Sequence, residues 1–220
     1  QRSGVMSKEW TTQIQYENAL RNMNASAWDK MWINEKLETM QHIENERAML
    51  AGREPCKVVV EELEKGLSGE FRPDKHEIAL SREELENDLQ EVCNTTLHEG
   101  VHATQEHMLM TLDLETATEE EIANAISLNM PLSEEASYEE YYNSAPEVSA
   151  REVAQELQEH IGYEQQMICG ADQYMNGLET QNQIIQTYDT YPAIEVGSIL
   201  NDIQEESIQE ISYSMDEEET

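Results

Sequence analysis

His98, Glu99 and His102 stand in the run LHEGVH, 97–102, and their types and spacing point to metal chemistry. On an α-helix, positions four apart lie one turn apart on the same face. Two imidazoles placed that way can reach one metal ion, and imidazole is a usual ligand of Zn²⁺. Glu99 is rotated one step away from both. It reads as a base beside a water that the metal activates, able to take that water's proton. Val92, Cys93, Thr96, Leu97, Val101 and Ala103 give the segment an apolar character. Two histidines on a half-buried helix need partners, and one metal serves both.

A tetrahedral catalytic zinc takes three protein ligands and keeps one position open. His107 is the nearest further histidine, but it lies five residues past His102 and points to another face. Gln105 and Met108 occupy the positions where a Gly and a His would mark a three-histidine site. His160 has no recognisable pattern around it. Glu147 is the best candidate. Pro146 and Glu147 sit at the mouth of a helix, and the small residues Ala150 and Ala154 on one face of it permit close packing against the helix of His98. Glu134, Glu135, Glu139 and Glu140 are competing carboxylates nearby. Tetrahedral chemistry at a carbonyl also needs a donor for the oxyanion. Tyr141 or Tyr142, just before Glu147, can supply it; packing is the other account of both.

The elements that must position these residues are mostly helices. Residues 7–51 carry apolar side chains at helical spacing, from Trp10 through Leu20, Met31 and Ile43 to Leu50, as one bent helix or two shorter ones. The turn at 52–55 stops this arm. Cys56 to Val60 is a short β-branched run, and two further extended segments flank Pro73-Asp74 like a hairpin. Ser81 followed by Glu84 is a capping-box pattern that opens a helix. Helices are then expected from Val92 to about Met110, from Thr118 to Asn129, within Ser133 to Tyr142, and from Pro146 to about Cys169, before a frayed acidic tail.

Acidic residues number 47 against 13 basic, a formal net charge of −34. Such a surface repels phosphate backbones and anionic membranes, so neither nucleic acid nor membrane is an expected partner. The charge also keeps a protein in solution, or favours basic partners. Cys56, Cys93 and Cys169 match no disulfide or zinc-ribbon spacing and read as free thiols. No apolar run approaches membrane-spanning length, and Gln1 to Trp10 lacks the core of a signal peptide. A soluble protein is expected, cytoplasmic or exported without a visible signal peptide. The first residue is Gln, as in a piece of something longer, so location and oligomeric state stay open.

LHEGVHATQ resembles the active-site helix of the zincin metallopeptidases. With the downstream pattern YYNSAPEVSAR, 141–151, the chain is similar to small bacterial gluzincin-like proteins over about residues 56–160. The resemblance implies a His98, His102, Glu147 zinc site, and an edge strand in GEFRPDKHEIALS that pairs with extended substrate. Arg151 stands where the larger gluzincins carry an acidic residue, which fits the smaller group. The expected fold is mainly helical α+β: an N-terminal helical arm at 1–55, a minimal zincin-like core with a two- or three-stranded sheet at 56–170, and a helical extension with an acidic tail at 171–220. The expected activity is zinc-dependent hydrolysis of a peptide or protein substrate, with Glu99 as general base. The alternatives are an acidic helical scaffold, an inactive zincin, or a fragment of a secreted effector or toxin.

Overall fold

The computed structural model describes residues 8–129, 133 and 136–176. The expected tail and most of the extension at 171–220 lie outside these residues. The fold is mainly helical α+β, in the order α1 (Lys8–Asn22), α2 (Ala25–Trp28), α3 (Ile33–Leu50), β1 (Lys57–Glu61), β2 (Gly69–Arg72), β3 (Glu77–Ser81), α4 (Leu89–Thr111), α5 (Glu119–Ser127), α6 (Tyr138–Tyr142) and α7 (Ala145–Asn176).

The N-terminal arm is three helices rather than one or two. Asn24 breaks it, because its side chain accepts a hydrogen bond from Ala27 N and starts a new short helix. These helices belong to the core. Leu20, Met23, Trp28, Met40 and Ile43 are buried in one cluster with Val92, Leu97 and Val101 of α4 and Ala150, Val153 and Ala154 of α7. The small side chains of Ala150 and Ala154, both fully buried, let α7 lie close along α4. The helix continues past Cys169 to Asn176.

The sheet has three strands in the order β1-β3-β2, with β3 parallel to β1 and antiparallel to β2. The central strand is buried on both faces at Ile78, Ala79 and Leu80, which is why its sequence runs apolar instead of alternating. Both edges are engaged. Along β1 the Gln41 side chain stands in for a neighbouring strand: its amide donates to Cys56 O at 2.8 Å and accepts from Val58 N at 2.8 Å. Along β2, Phe71 N donates to Glu99 Oε2 at 2.8 Å. A Cβ on Gly69 would stand 2.7 Å from Thr95 Cγ2 and 3.1 Å from Glu99 Cγ, so glycine is what allows β2 to lie on α4.

Ser81 does not open a helix through a capping box. Its backbone N donates to Ser68 O as a strand residue, and its hydroxyl accepts from Glu84 N to start a short 3₁₀ turn, Glu84–Glu86. The Glu84 carboxylate is taken by Thr95 Oγ1 at 2.6 Å and Asn87 Nδ2 at 3.0 Å, so it cannot reach back to Ser81. The α4 helix starts later, at Leu89, with Asp88 accepting from Gln90 N and Glu91 N.

Arg47 is buried between α1 and α7, bonded to Tyr16 and Glu164. Next to it Glu46 is half-buried, with Oε2 lacking a hydrogen-bond partner among the described residues. Burial pushes the Glu46 pKa up; the Arg47 charge opposes this without cancelling it, and Glu164 and Glu17 add to the rise. A carboxyl raised on folding destabilises the fold where it is ionised. Glu46→Gln is therefore expected to melt above wild type at neutral pH. The gap should close as pH falls through the raised pKa to below the ordinary Glu range, where both states hold the protonated acid. Thermal melts across that range check it, and an unchanged or lower melting temperature at neutral pH contradicts it.

Candidate metal centre

α4 contributes His98, Glu99 and His102, and the first turn of α7 contributes Glu147. His98 Nε2 lies 3.2 Å from Glu147 Oε2, and His102 Nε2 lies 3.2 Å from Glu147 Oε1. The two Nε2 atoms are 3.1 Å apart, with the rings set edge to face at 85°. Among the described residues these three side chains form the group of His, Cys, Asp or Glu able to hold a metal ion, their ligand atoms all within 4.8 Å of one another. All three are at least partly buried, Glu147 most completely.

This geometry suits a cation. Ligands about 2.0–2.1 Å from a tetrahedral ion stand about 3.3 Å apart, close to the separations here. The facing atoms are electron-rich: a carboxylate accepts only, and a neutral imidazole nitrogen offers a lone pair. The same closeness shifts the pKa values of these groups. Burial pushes the Glu147 pKa up, but hydrogen bonds from His102, His98 and Tyr141 outweigh it and hold the carboxyl well below the usual range. Burial pulls the His102 pKa down, and the hydrogen bond to Glu147 with the charges of Glu99 and Glu147 raises it overall. The position of Glu147 in the first turn of α7 also puts its charge at the positive end of the helix dipole.

Glu99 is buried beside this group and turned toward β2, where it accepts the Phe71 amide. Burial pushes its pKa up; His102, His98 and the Phe71 amide pull it back only in part. A carboxyl in such surroundings is poised to take up a proton.

The two tyrosines part company. The Tyr141 hydroxyl faces Glu147 closely enough to feel it, and burial followed by the interaction with that carboxylate raises its pKa. Tyr142 is held instead under Arg151, whose guanidinium lies 3.7 Å from the ring centroid and donates to Tyr142 O at 2.7 Å. His107 is outside the cluster. His160 lies 3.4 Å from Glu164 on its own helix. The Glu140 carboxylate caps Ser137 at the start of α6. Glu134 and Glu135 lie outside the described residues.

Two features were not foreseen from the sequence. Gln105 is buried with Oε1 2.9 Å from His102 Nδ1. Behind α4, Arg53 and Glu44 form a buried bidentate pair at 2.7 and 3.0 Å, and Arg53 Nη2 also donates to Gly100 O at 3.0 Å, between the two histidines in sequence. The signal for Gln105 was its position three residues beyond His102 on the same helical face. Nothing local marks the ion pair. Among the described residues no helix is long and apolar enough to cross a membrane. No family model matches the chain, and neither a curated protein nor a solved structure matches it.

Proposed function

We propose that the chain is a zinc-dependent peptidase of the zincin kind, with His98, His102 and Glu147 holding Zn²⁺ and Glu99 as general base. The observation that carries this reading is the convergence of two imidazole nitrogens and a carboxylate at 3.1–3.2 Å, with a second buried carboxylate beside them. Two nitrogens and one carboxylate form a donor set that suits zinc. Zinc bound there supplies Lewis acidity and lowers the pKa of a water. The chain's residues do the rest. Glu99 takes the proton from the attacking water and gives it to the leaving nitrogen, a task served by a carboxyl whose pKa lies above the ordinary range. The Phe71 amide keeps Glu99 in place from the side of β2. Tyr141, at the Glu147 carboxylate, is the donor positioned to turn to a developing oxyanion.

Protein purified without chelator is expected to carry about one zinc per chain. The His98→Ala, His102→Ala double variant is expected to carry almost none. Elemental analysis of both decides it: equal, near-zero zinc ends the peptidase reading and leaves an acidic helical binding protein. Zinc whose removal unfolds the wild type, with no hydrolysis of peptide libraries, points to a structural ion.

A further inference from the structure

We propose that Gln105 is the positioning residue of this site: its side-chain amide fixes the tautomer of His102 and ties the turn carrying Glu147 to the helix carrying the histidines. The proposal rests on the reading that these side chains hold a cation.

Gln105 is 2% exposed, so its polar atoms must find partners within the protein. Its Nε2 lies 3.1 Å from Pro146 O. A proline carbonyl can only accept, which forces the amide nitrogen to that side and the amide oxygen toward His102. Oε1 in turn can only accept, so His102 Nδ1, 2.9 Å away, must be the protonated nitrogen. When the ring carries a single proton, the Gln105 oxygen at Nδ1 competes for it with the Glu147 carboxylate at Nε2, and a proton held at Nδ1 leaves the lone pair on Nε2, the atom facing His98 and Glu147. One amide thus selects the ring nitrogen that points into the site.

The other end of the amide acts on the third ligand. Pro146 immediately precedes Glu147, so the bond to its carbonyl ties the first turn of α7 to α4. The Gln105 backbone oxygen accepts from Asn129 Nδ2 at 3.1 Å, which ties the end of α5 to the same point. No other side chain of this length offers an acceptor and a donor together. Glu would keep the acceptor for Nδ1 but face Pro146 O with a second acceptor. Met would keep the volume and lose both bonds.

The test uses the full chain as wild type, Gln105→Met and Gln105→Glu. Zinc affinity is measured by competition with a chromophoric chelator. The His102 tautomer is read from ¹⁵N chemical shifts of the metal-free protein at alkaline pH. Both variants are expected to lose about 10–100-fold in zinc affinity, as is typical for partners of metal-ligating histidines. Wild type and Gln105→Glu should show the Nδ1-protonated ring, and Gln105→Met a mixture of tautomers. Unchanged affinity in both variants, or an unchanged tautomer in Gln105→Met, overturns the proposal. Should Gln105→Met fail to fold, affinity in Gln105→Glu decides: a loss supports the link to Pro146, and no loss sinks it. A wild type that binds no zinc defeats the cation reading itself, and the tautomer measurement then still decides whether Gln105 sets the ring.

Discussion

Glu99→Gln is expected to leave the protein folded and metal-loaded while cutting peptide hydrolysis by about 10²–10⁴-fold, the usual contribution of a general base. The substitution is nearly isosteric. The amide oxygen can still accept from Phe71 N, so the contact between β2 and α4 survives. What disappears is the ability to take a proton. Glu99 is not among the three converging ligands, so zinc content should stay at the wild-type level. Hydrolysis of a quenched fluorescent peptide library, measured beside zinc content, separates the roles. Full activity in the variant removes Glu99 from the chemistry, and lost zinc would make it a ligand instead.

The parts of this site that could be read from the sequence are those fixed by local geometry. His98 and His102 share a face because helix periodicity places them one turn apart. Glu147 was reachable because Pro146 marks a helix start and Ala150 and Ala154 mark a face for close packing; both alanines are fully buried. Three short extended segments were visible as well. Their order was not, since the parallel pairing of β1 with β3 is a long-range choice that no turn signal encodes. The Ser81 pattern misled because a capping box assumes a Glu free to reach back, and Glu84 is claimed by Thr95 from the next helix. Tyr141 and Tyr142 were indistinguishable as neighbours in sequence. Arg151 separates them by stacking on the second. The Arg53–Glu44 pair stayed hidden because its meaning lies in partners supplied by other elements, as does the contact of Gln105 with Pro146 O; only the Gln105–His102 contact was local.

That pair supports the last prediction, which tests what holds the metal helix from behind. Both side chains are almost fully buried, at 3% and 1% exposure. Arg53 uses Nη1 and Nη2 on the Glu44 carboxylate, Nη2 again on Gly100 O, and Nε on Thr104 Oγ1 at 2.9 Å. Glu44 Oε1 also accepts from Cys56 N at 2.7 Å, at the entry to β1. The pair therefore joins α3, the sheet and α4. A Cβ at Gly100 would stand 3.1 Å from Glu44 Oε2, so glycine lets the helix backbone approach this closely. Arg53→Met strands a carboxylate out of reach of water, and losses of about 3–5 kcal/mol follow from breaking such a pair on one side. For a chain of this size that amounts to a fall of roughly 6–20 °C in melting temperature. Adding Glu44→Leu removes the stranded charge, leaving the Cys56 amide without its partner, a defect of about 1–3 kcal/mol. The double variant is thus expected to be more stable than Arg53→Met and less stable than wild type. Denaturant unfolding of the metal-free proteins measures all three. If the double variant unfolds more easily than the single one, the cost lies in lost packing around α4 and not in a buried unpaired charge.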